Sequence, residues 1–176
     1  MLITANKSVL VLVDLQQKLL PAIAGADAVV AECARLAKIA RLLEVPVFGT
    51  EQTPAKLGTN ADEIRRLCEK TVIKTHFDAC ANGLLEVLPA ERNSIVVAGC
   101  EAHVCMLQTA LGLIDHGYQV WIASDAVGSR RPANRDAALE RLRQHGARLV
   151  TTEMIAFEWL RDSDHPDFRE VLRLIK

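Results

Sequence analysis

Short runs of β-branched residues alternate along the chain with longer stretches of helical periodicity, and this alternation constrains the fold more than any other feature. Strands are predicted at 8–13, 46–49, 72–74, 94–98, 119–123 and 148–150. Their apolar residues are continuous, which is typical of strands buried on both faces of a sheet. Helices are predicted at 26–43, 61–68, 104–116 and 134–144. We therefore expect an α/β protein: a three-layer α/β/α sandwich around a doubly wound, mainly parallel six-stranded sheet of Rossmann-like type.

The length of the chain fits one domain. It has 176 residues, of which 50% are hydrophobic, and no repeat or linker divides it. Residues 1–176 are therefore expected to form a single domain with its own core. The segment 162–176 is charged and then amphipathic, which predicts a last helix that docks on the body or on a neighbouring subunit.

The charge balance and the apolar runs limit the partners. The 21 Lys and Arg residues against 22 Asp and Glu residues give a net charge of −1, so no basic surface for nucleic acid is expected. Scattered arginines with acidic neighbours are interpreted as a solvated surface; they are Arg130, Arg131, Arg135, Arg141 and Arg143. No apolar run reaches the ~18 residues of a membrane helix. With no signal peptide evident at the N-terminus, we expect a cytoplasmic protein with no nucleic-acid or membrane partner.

Three polar residues follow predicted strands at their carboxyl ends. Asp14 follows the run VLVLV, Lys74 ends the run VIK, and Cys105 lies just beyond SIVVA, where a helix should begin. Ligands of doubly wound sheets bind outside the carboxyl ends of the strands, so these side chains should converge. A helix N-terminus and a nearby ammonium should lower the pKa of the thiol, and a carboxylate could take its proton. Together they predict a nucleophilic acyl-transfer site.

Each of these residues also has an ordinary structural interpretation. An aspartate after a buried strand is often a helix N-cap. A lysine at a strand end usually extends to water, and a cysteine near a helix start is more often part of the core. Only the joint placement of Asp14, Lys74 and Cys105 favours the catalytic interpretation.

The segments around these residues resemble a known family, the isochorismatase-like cysteine hydrolases. The resemblance lies in VLVDLQQKLLP, VIKTHFDAC and VVAGCEAHVCMLQTALGL, and ASDAVGSR and DHPDFREVLRLIK resemble the small isochorismatase-domain-containing members. It covers essentially the whole chain and implies the isochorismatase-like hydrolase fold. It also implies an Asp-Lys-Cys triad, in which Cys105 is the nucleophile, Asp14 the general base or acid, and Lys74 the residue that tunes both. A cis peptide between Cys100 and Glu101 is implied too, with the backbone N–H groups of Glu101 and Cys105 as an oxyanion hole.

The loop after the second strand lacks the histidines of the nicotinamidase branch of that family. It reads FGTEQTPAKLG over residues 48–58, without the Asp-x-His that holds a metal there. Because transition-metal sites favour clustered imidazoles, we expect no metal and no other cofactor, and nicotinamide is disfavoured as a substrate. True isochorismatases cleave a vinyl ether without needing the cysteine. The presence of Cys105 therefore favours acyl chemistry on a small-molecule amide or related C–N bond.

Five further residues are expected at the mouth of the pocket as substrate contacts. They are Gln16, Glu51, Gln52, Phe77 and His103. Structural roles compete with this interpretation for four of them: loop caps for Gln16 and Glu51, packing for Phe77, and a turn contact for His103.

The sequence therefore predicts a metal-independent cysteine hydrolase that works through a thioester, as a homo-oligomer of the kind common in the resembling family. The alternative is a non-catalytic oligomeric binding module that keeps the hydrolase fold and its pocket. A nucleotide-dependent oxidoreductase is disfavoured because no glycine-rich turn follows the first strand. A redox role, with Cys100 resolving an oxidised Cys105, would require a strained disulfide through a constrained turn.

Overall fold

A six-stranded sheet lies at the centre of the protein. The computed structural model describes all 176 residues. Its strands are β1 (Ser8–Val13), β2 (Val47–Gln52), β3 (Lys70–Lys74), β4 (Ser94–Cys100), β5 (Gln119–Gly128) and β6 (Arg148–Val150). The order across the sheet is β3-β2-β1-β4-β5-β6, and every neighbouring pair is parallel. The predicted doubly wound α/β fold is confirmed, with an entirely parallel sheet.

Eight α-helices surround the sheet. They are α1 (Ala26–Leu42), α2 (Pro54–Leu57), α3 (Asp62–Leu67), α4 (Leu84–Val87), α5 (Cys105–Asp115), α6 (Pro132–Gln144), α7 (Thr152–Leu160) and α8 (Phe168–Ile175). The four helices predicted in the body of the chain are present with ends shifted by at most two residues. The predicted last helix is α8, which packs on α1 and α7, whereas α7 itself was missed. None of the helices has both the length and the apolar character needed to cross a bilayer.

Two apolar layers cover the two faces of the sheet. One contains 28 buried residues and includes Leu12 and Leu36, and the other contains 23 and includes Val11 and Leu113. All six residues of β1 are buried. The continuous apolar runs in the sequence therefore mark strands covered on both faces, as predicted.

The chain changes direction across the sheet between β1 and β4. From β1 it proceeds to β2 and β3 on one side, and from β4 to β5 and β6 on the other. Such a switch point is where ligands bind in open α/β sheets. Gly99 lies opposite Val13 in the β1–β4 register, with φ of +115°. A Cβ at position 99 would lie 2.2 Å from the Val13 carbonyl oxygen, so this approach requires glycine.

Candidate active site

A buried ion pair lies at the carboxyl end of the central strands. The Lys74 ammonium at the end of β3 donates to Asp14 Oδ2 at 2.8 Å, and both side chains are fully buried. The Thr50 hydroxyl in β2 donates to Asp14 Oδ1 at 2.6 Å. No helix begins directly after Asp14, and Lys74 is inaccessible to water. The N-cap interpretation of Asp14 and the solvated interpretation of Lys74 are therefore wrong.

Gln52, the last residue of β2, lies between this pair and the thiol. Its Oε1 accepts a hydrogen bond from the Lys74 ammonium at 2.7 Å, and the same oxygen lies 3.9 Å from Cys105 Sγ. Its Nε2 donates to the Thr75 carbonyl at 2.8 Å, which fixes the orientation of the amide. One side-chain oxygen thus contacts both the ammonium and the thiol.

Cys105 begins helix α5 and is 6% exposed. Burial and, to a lesser extent, the Asp14 carboxylate raise the pKa of the Cys105 thiol to about 12, although the Lys74 ammonium acts to lower it. The expectation of a lowered pKa is therefore wrong, because loss of hydration and the carboxylate outweigh the ammonium. At neutral pH this thiol is protonated.

Two backbone N–H groups at the start of α5 have no hydrogen-bond acceptor in the protein. The peptide bond between Cys100 and Glu101 is cis. The N–H groups of Val104 and Met106 both donate to the Glu101 carbonyl, whereas those of Glu101 and Cys105 donate to no other protein group. The donor capacity of the latter two N–H groups is thus unused within the protein.

A cavity of about 230 Å³ adjoins the thiol. Its apolar wall consists of Leu19, Leu57, Phe77 and Val104, and its polar lining consists of Asp14, Gln52, Glu101, Cys105 and Arg130. The volume equals that of about eight water molecules at ~30 Å³ each, which suits a small molecule. Of the five residues expected at the pocket mouth, Gln52 and Phe77 line this cavity.

Gln16 and Glu51 do not belong to the cavity lining, so the expectation that they contact substrate stays a prediction. Gln16 is fully buried, where its Oε1 accepts from the Gln52 N–H at 2.8 Å and its Nε2 donates to the Gly58 carbonyl at 2.6 Å. Successive residues of a strand point to opposite faces. Glu51 therefore faces away from Gln52 and accepts from the Asn60 N–H at 2.8 Å. Both side chains thus form hydrogen bonds that hold the segment following β2 in place.

His103 does not belong to the cavity lining either, although it contacts Glu101, which does. Its Nδ1 is 3.0 Å from Ser129 Oγ, and its Nε2 is 3.5 Å from Glu101 Oε2. On the cavity wall Glu101 pairs with Arg130, whose Nε lies 2.7 Å from its Oε1. The Arg130 side chain is 60% exposed, and its remaining guanidinium nitrogens make no contact of this kind.

Sequence reasoning missed four residues of the cavity lining, which are Leu19, Leu57, Val104 and Arg130. Arg130 was interpreted as solvated surface, although it follows β5 by two residues and so lies at the ligand-binding edge. Leu19 lies in a turn and Leu57 ends the short helix α2, and no pattern in the sequence reveals that these two segments meet at the cavity. No three His, Cys, Asp or Glu side chains are arranged to bind a metal ion.

A family model, the isochorismatase domain, matches residues 8–154. Isochorismatase domain-containing protein 2A of Mus musculus is 39% identical over 176 residues, which covers 99% of this chain and 85% of that protein.

Two solved structures have the same fold. The MAR1 ribonuclease from Caenorhabditis elegans superimposes with a TM-score of 0.94 at 33% identity, over 99% of this chain and 92% of that one. YcaC from Escherichia coli, described as an octameric hydrolase of unknown specificity, has a TM-score of 0.87 at 24% identity, over 98% and 95% of the two chains. The similarity to YcaC concerns the fold alone.

Proposed function

This chain belongs to the isochorismatase family, and on that premise we propose that it hydrolyses an amide or related C–N bond of a small molecule through Cys105. The observation that carries the proposal is the network of contacts that links Asp14, Lys74, Gln52 and Cys105. There Lys74 pairs with Asp14 at 2.8 Å, and Gln52 contacts both the ammonium and the thiol. A nucleophile, a proton acceptor and a fixed positive charge are the groups that acyl transfer requires.

The first step forms the bond from Cys105 Sγ to the carbonyl carbon of the amide. Because the raised pKa keeps the thiol protonated, the proton passes to the Asp14 carboxylate as that bond forms. The carbonyl π electrons move onto oxygen, which accepts hydrogen bonds from the N–H groups of Glu101 and Cys105. Lys74 remains charged throughout and holds Asp14 in place.

The next step breaks the C–N bond. Asp14 gives its new proton to the leaving nitrogen, ammonia or an amine departs, and an acyl thioester remains on Cys105. A water molecule then attacks the thioester carbon and gives one proton to Asp14. The C–S bond breaks, the sulfur recovers its proton from Asp14, and the carboxylic acid leaves. Asp14 thus acts as base and acid in turn.

The cavity lining limits the substrate to a small molecule with an apolar portion. Four apolar side chains line the cavity beside the thiol, and they disfavour water in this part of the cavity. Arg130 uses Nε for Glu101, so its two other nitrogens offer the planar fork that suits a carboxylate. An anionic group on the substrate would bind there.

The test is a screen of small amides, ureas and amino-acid amides for ammonia release, with acid-quenched samples analysed by mass spectrometry. We expect an acyl adduct on the Cys105 peptide during turnover. Cys105→Ala and Asp14→Asn should each abolish release, and Cys68→Ala is the matched control because Cys68 does not line the cavity. Unchanged turnover in Cys105→Ala would refute the mechanism. Specific binding of a small molecule without any hydrolysis would favour the non-catalytic binding module.

RNA cleavage is the second candidate, since the Caenorhabditis elegans neighbour is named a ribonuclease. The local charges argue against it, because Lys74 is paired with Asp14 and Arg130 with Glu101. A phosphodiester would therefore meet two carboxylates beside the cations. Degradation of a defined single-stranded RNA by the wild type, but not by Cys105→Ala, would favour this candidate over amide hydrolysis.

We also propose that the protein is a homo-oligomer. The Escherichia coli neighbour is described as octameric. This chain exposes large apolar side chains at Leu2, Ile73 and Met154, which are 57%, 65% and 47% accessible. Light scattering after size exclusion should give a multiple of the chain mass, and the mass of a single chain would exclude the oligomer.

A further inference from the structure

One face of helix α5 carries Cys105, Thr109 and Gly112 in succession. Spacings of four and three residues put these positions on the same side of a helix. The loop that follows Lys74 and β3 lies against this face. Phe77, in that loop, belongs to the cavity wall, so the helix that begins with the thiol also supports the opposite side of the pocket.

Thr109 holds the backbone of this loop. Its side chain is fully buried, and its Oγ1 accepts a hydrogen bond from the Ala79 N–H at 3.0 Å. The same hydroxyl donates to the Phe77 carbonyl at 3.4 Å. Both hydrogen-bonding functions of the hydroxyl are thus used by the backbone on either side of Asp78.

Gly112 lets the loop approach the helix closely. The Asp78 carboxylate accepts from the Cys80 N–H at 2.8 Å. A Cβ at position 112 would lie 2.6 Å from Asp78 Oδ2 and 2.9 Å from its Cγ. Glycine is a poorer helix former than alanine, yet here a Cβ would force the capping carboxylate to shift from its place. The helix backbone therefore forms the floor under Asp78.

The Phe77 ring has little packing of its own to hold it, because the residue is 49% exposed. Its position must come from its backbone, which Thr109 and Gly112 fix. We propose that Thr109 and Gly112 are positioning residues that set the place of Phe77 and so the width of the cavity above Cys105. They would thereby select substrates by size. The inference rests on the proposed function only in treating Cys105 as the thiol that substrates reach.

The experiment compares two alkylating probes that differ only in bulk. Iodoacetamide and its N-phenyl analogue, iodoacetanilide, share a leaving group, so the ratio of their rate constants at Cys105 cancels changes in thiol pKa. Peptide mass spectrometry gives each rate constant. We expect G112A and T109V to displace the loop and so to raise the iodoacetanilide-to-iodoacetamide ratio of rate constants about threefold or more. An effect of this magnitude is typical of residues that are energetically coupled to a neighbour. T109S keeps the hydroxyl and should preserve the wild-type ratio.

Double variants show whether the effect passes through Phe77. F77A should raise the ratio by itself, and F77A/G112A and F77A/T109V should raise it no further. An unchanged ratio in folded G112A or T109V, or additive increases in the double variants, would overturn the proposal. If G112A does not fold, the T109V series decides the question alone. The ratio of alkylation rates is measured without turnover. A positive result would therefore support the positioning role even if no amide is hydrolysed, and a negative result would leave amide hydrolysis untouched.

Discussion

At the scale of single residues, burial decides the protonation state of Cys105. Loss of hydration and the Asp14 carboxylate raise the pKa of its thiol, and the Lys74 ammonium opposes them. Because the thiolate is the nucleophile, the resting thiol is poorly reactive toward general electrophiles. A substrate that binds its carbonyl oxygen to the Glu101 and Cys105 amides would be attacked in preference, which gives the site selectivity.

This protonation state predicts how alkylation depends on pH. The rate at Cys105 should rise about tenfold per pH unit between about pH 7 and 10, because the pKa is about 12. Asp14→Asn removes one of the causes that raise the pKa and should therefore accelerate alkylation at a given pH. The measurement is peptide mass spectrometry after timed exposure to iodoacetamide. A plateau below about pH 8.5, the pKa of a free thiol, would contradict the prediction.

The proximity of Asp14, Lys74 and Cys105 could be predicted because the carboxyl end of a parallel strand fixes where the following residue lies. The same rule did not suffice for Gln16 and Glu51. Their positions depend on which face of the sheet each occupies and on the path of a loop, neither of which local composition determines.

At the scale of elements, the close contact of β1 with β4 positions the turn before α5. A Cβ at Gly99 would meet the Val13 carbonyl at 2.2 Å, and backbone atoms cannot yield as a side chain can. The residues that follow Gly99 include Glu101 and Cys105, whose amides belong to the proposed oxyanion hole. A shift of β4 would therefore displace both amides.

Gly99→Ala tests this contact. It should lower the free energy of unfolding by at least about 2 kcal/mol, since it combines overpacking with a left-handed backbone. Gly117→Ala is the matched control: its φ of +85° is also positive, but nothing lies within 4 Å of the added Cβ. It should cost only about 1 kcal/mol. Urea denaturation measures both, and equal losses would contradict the role assigned to the β1–β4 contact.

The end of a strand could be predicted where it coincides with the end of an apolar run. It could not be predicted where the strand continues through polar residues. β2 extends to Gln52 and β5 to Gly128, beyond the predicted apolar runs. Polar side chains interrupt the apolar pattern there and bond elsewhere in the protein, as Thr50 does to Asp14 and Ser124 to the Val150 carbonyl. Helix α7 had a recognisable pattern that was overlooked. Its residues Thr152, Ile155, Ala156 and Trp159 are buried at helical spacing.

At the scale of the whole molecule, all five cysteines are free and share one electrostatic property. Burial is the main cause that raises the pKa of each thiol above its ordinary value. A group whose pKa is higher in the folded state favours folding below its unfolded pKa, and loses that contribution as pH rises. The cysteines therefore make the fold sensitive to alkali.

We predict that the free energy of unfolding falls as pH rises above about 8.5, where unfolded thiols ionise. Urea denaturation at a series of pH values measures the slope. A Cys68→Ser, Cys80→Ser variant should show a shallower slope, because burial holds the pKa of each of these thiols at about 12. A slope that is the same in this variant and the wild type would contradict the assignment.

The cavity draws its lining from both sides of the switch point between β1 and β4. Asp14 comes from the start of the chain and Arg130 from the end of β5, while the ion pair joins residues 60 positions apart. During synthesis on the ribosome, the first of these groups emerges long before the last. A nascent chain that ends before Arg130 therefore lacks part of the lining, and the complete pocket can form only after β5 and Arg130 have been synthesised.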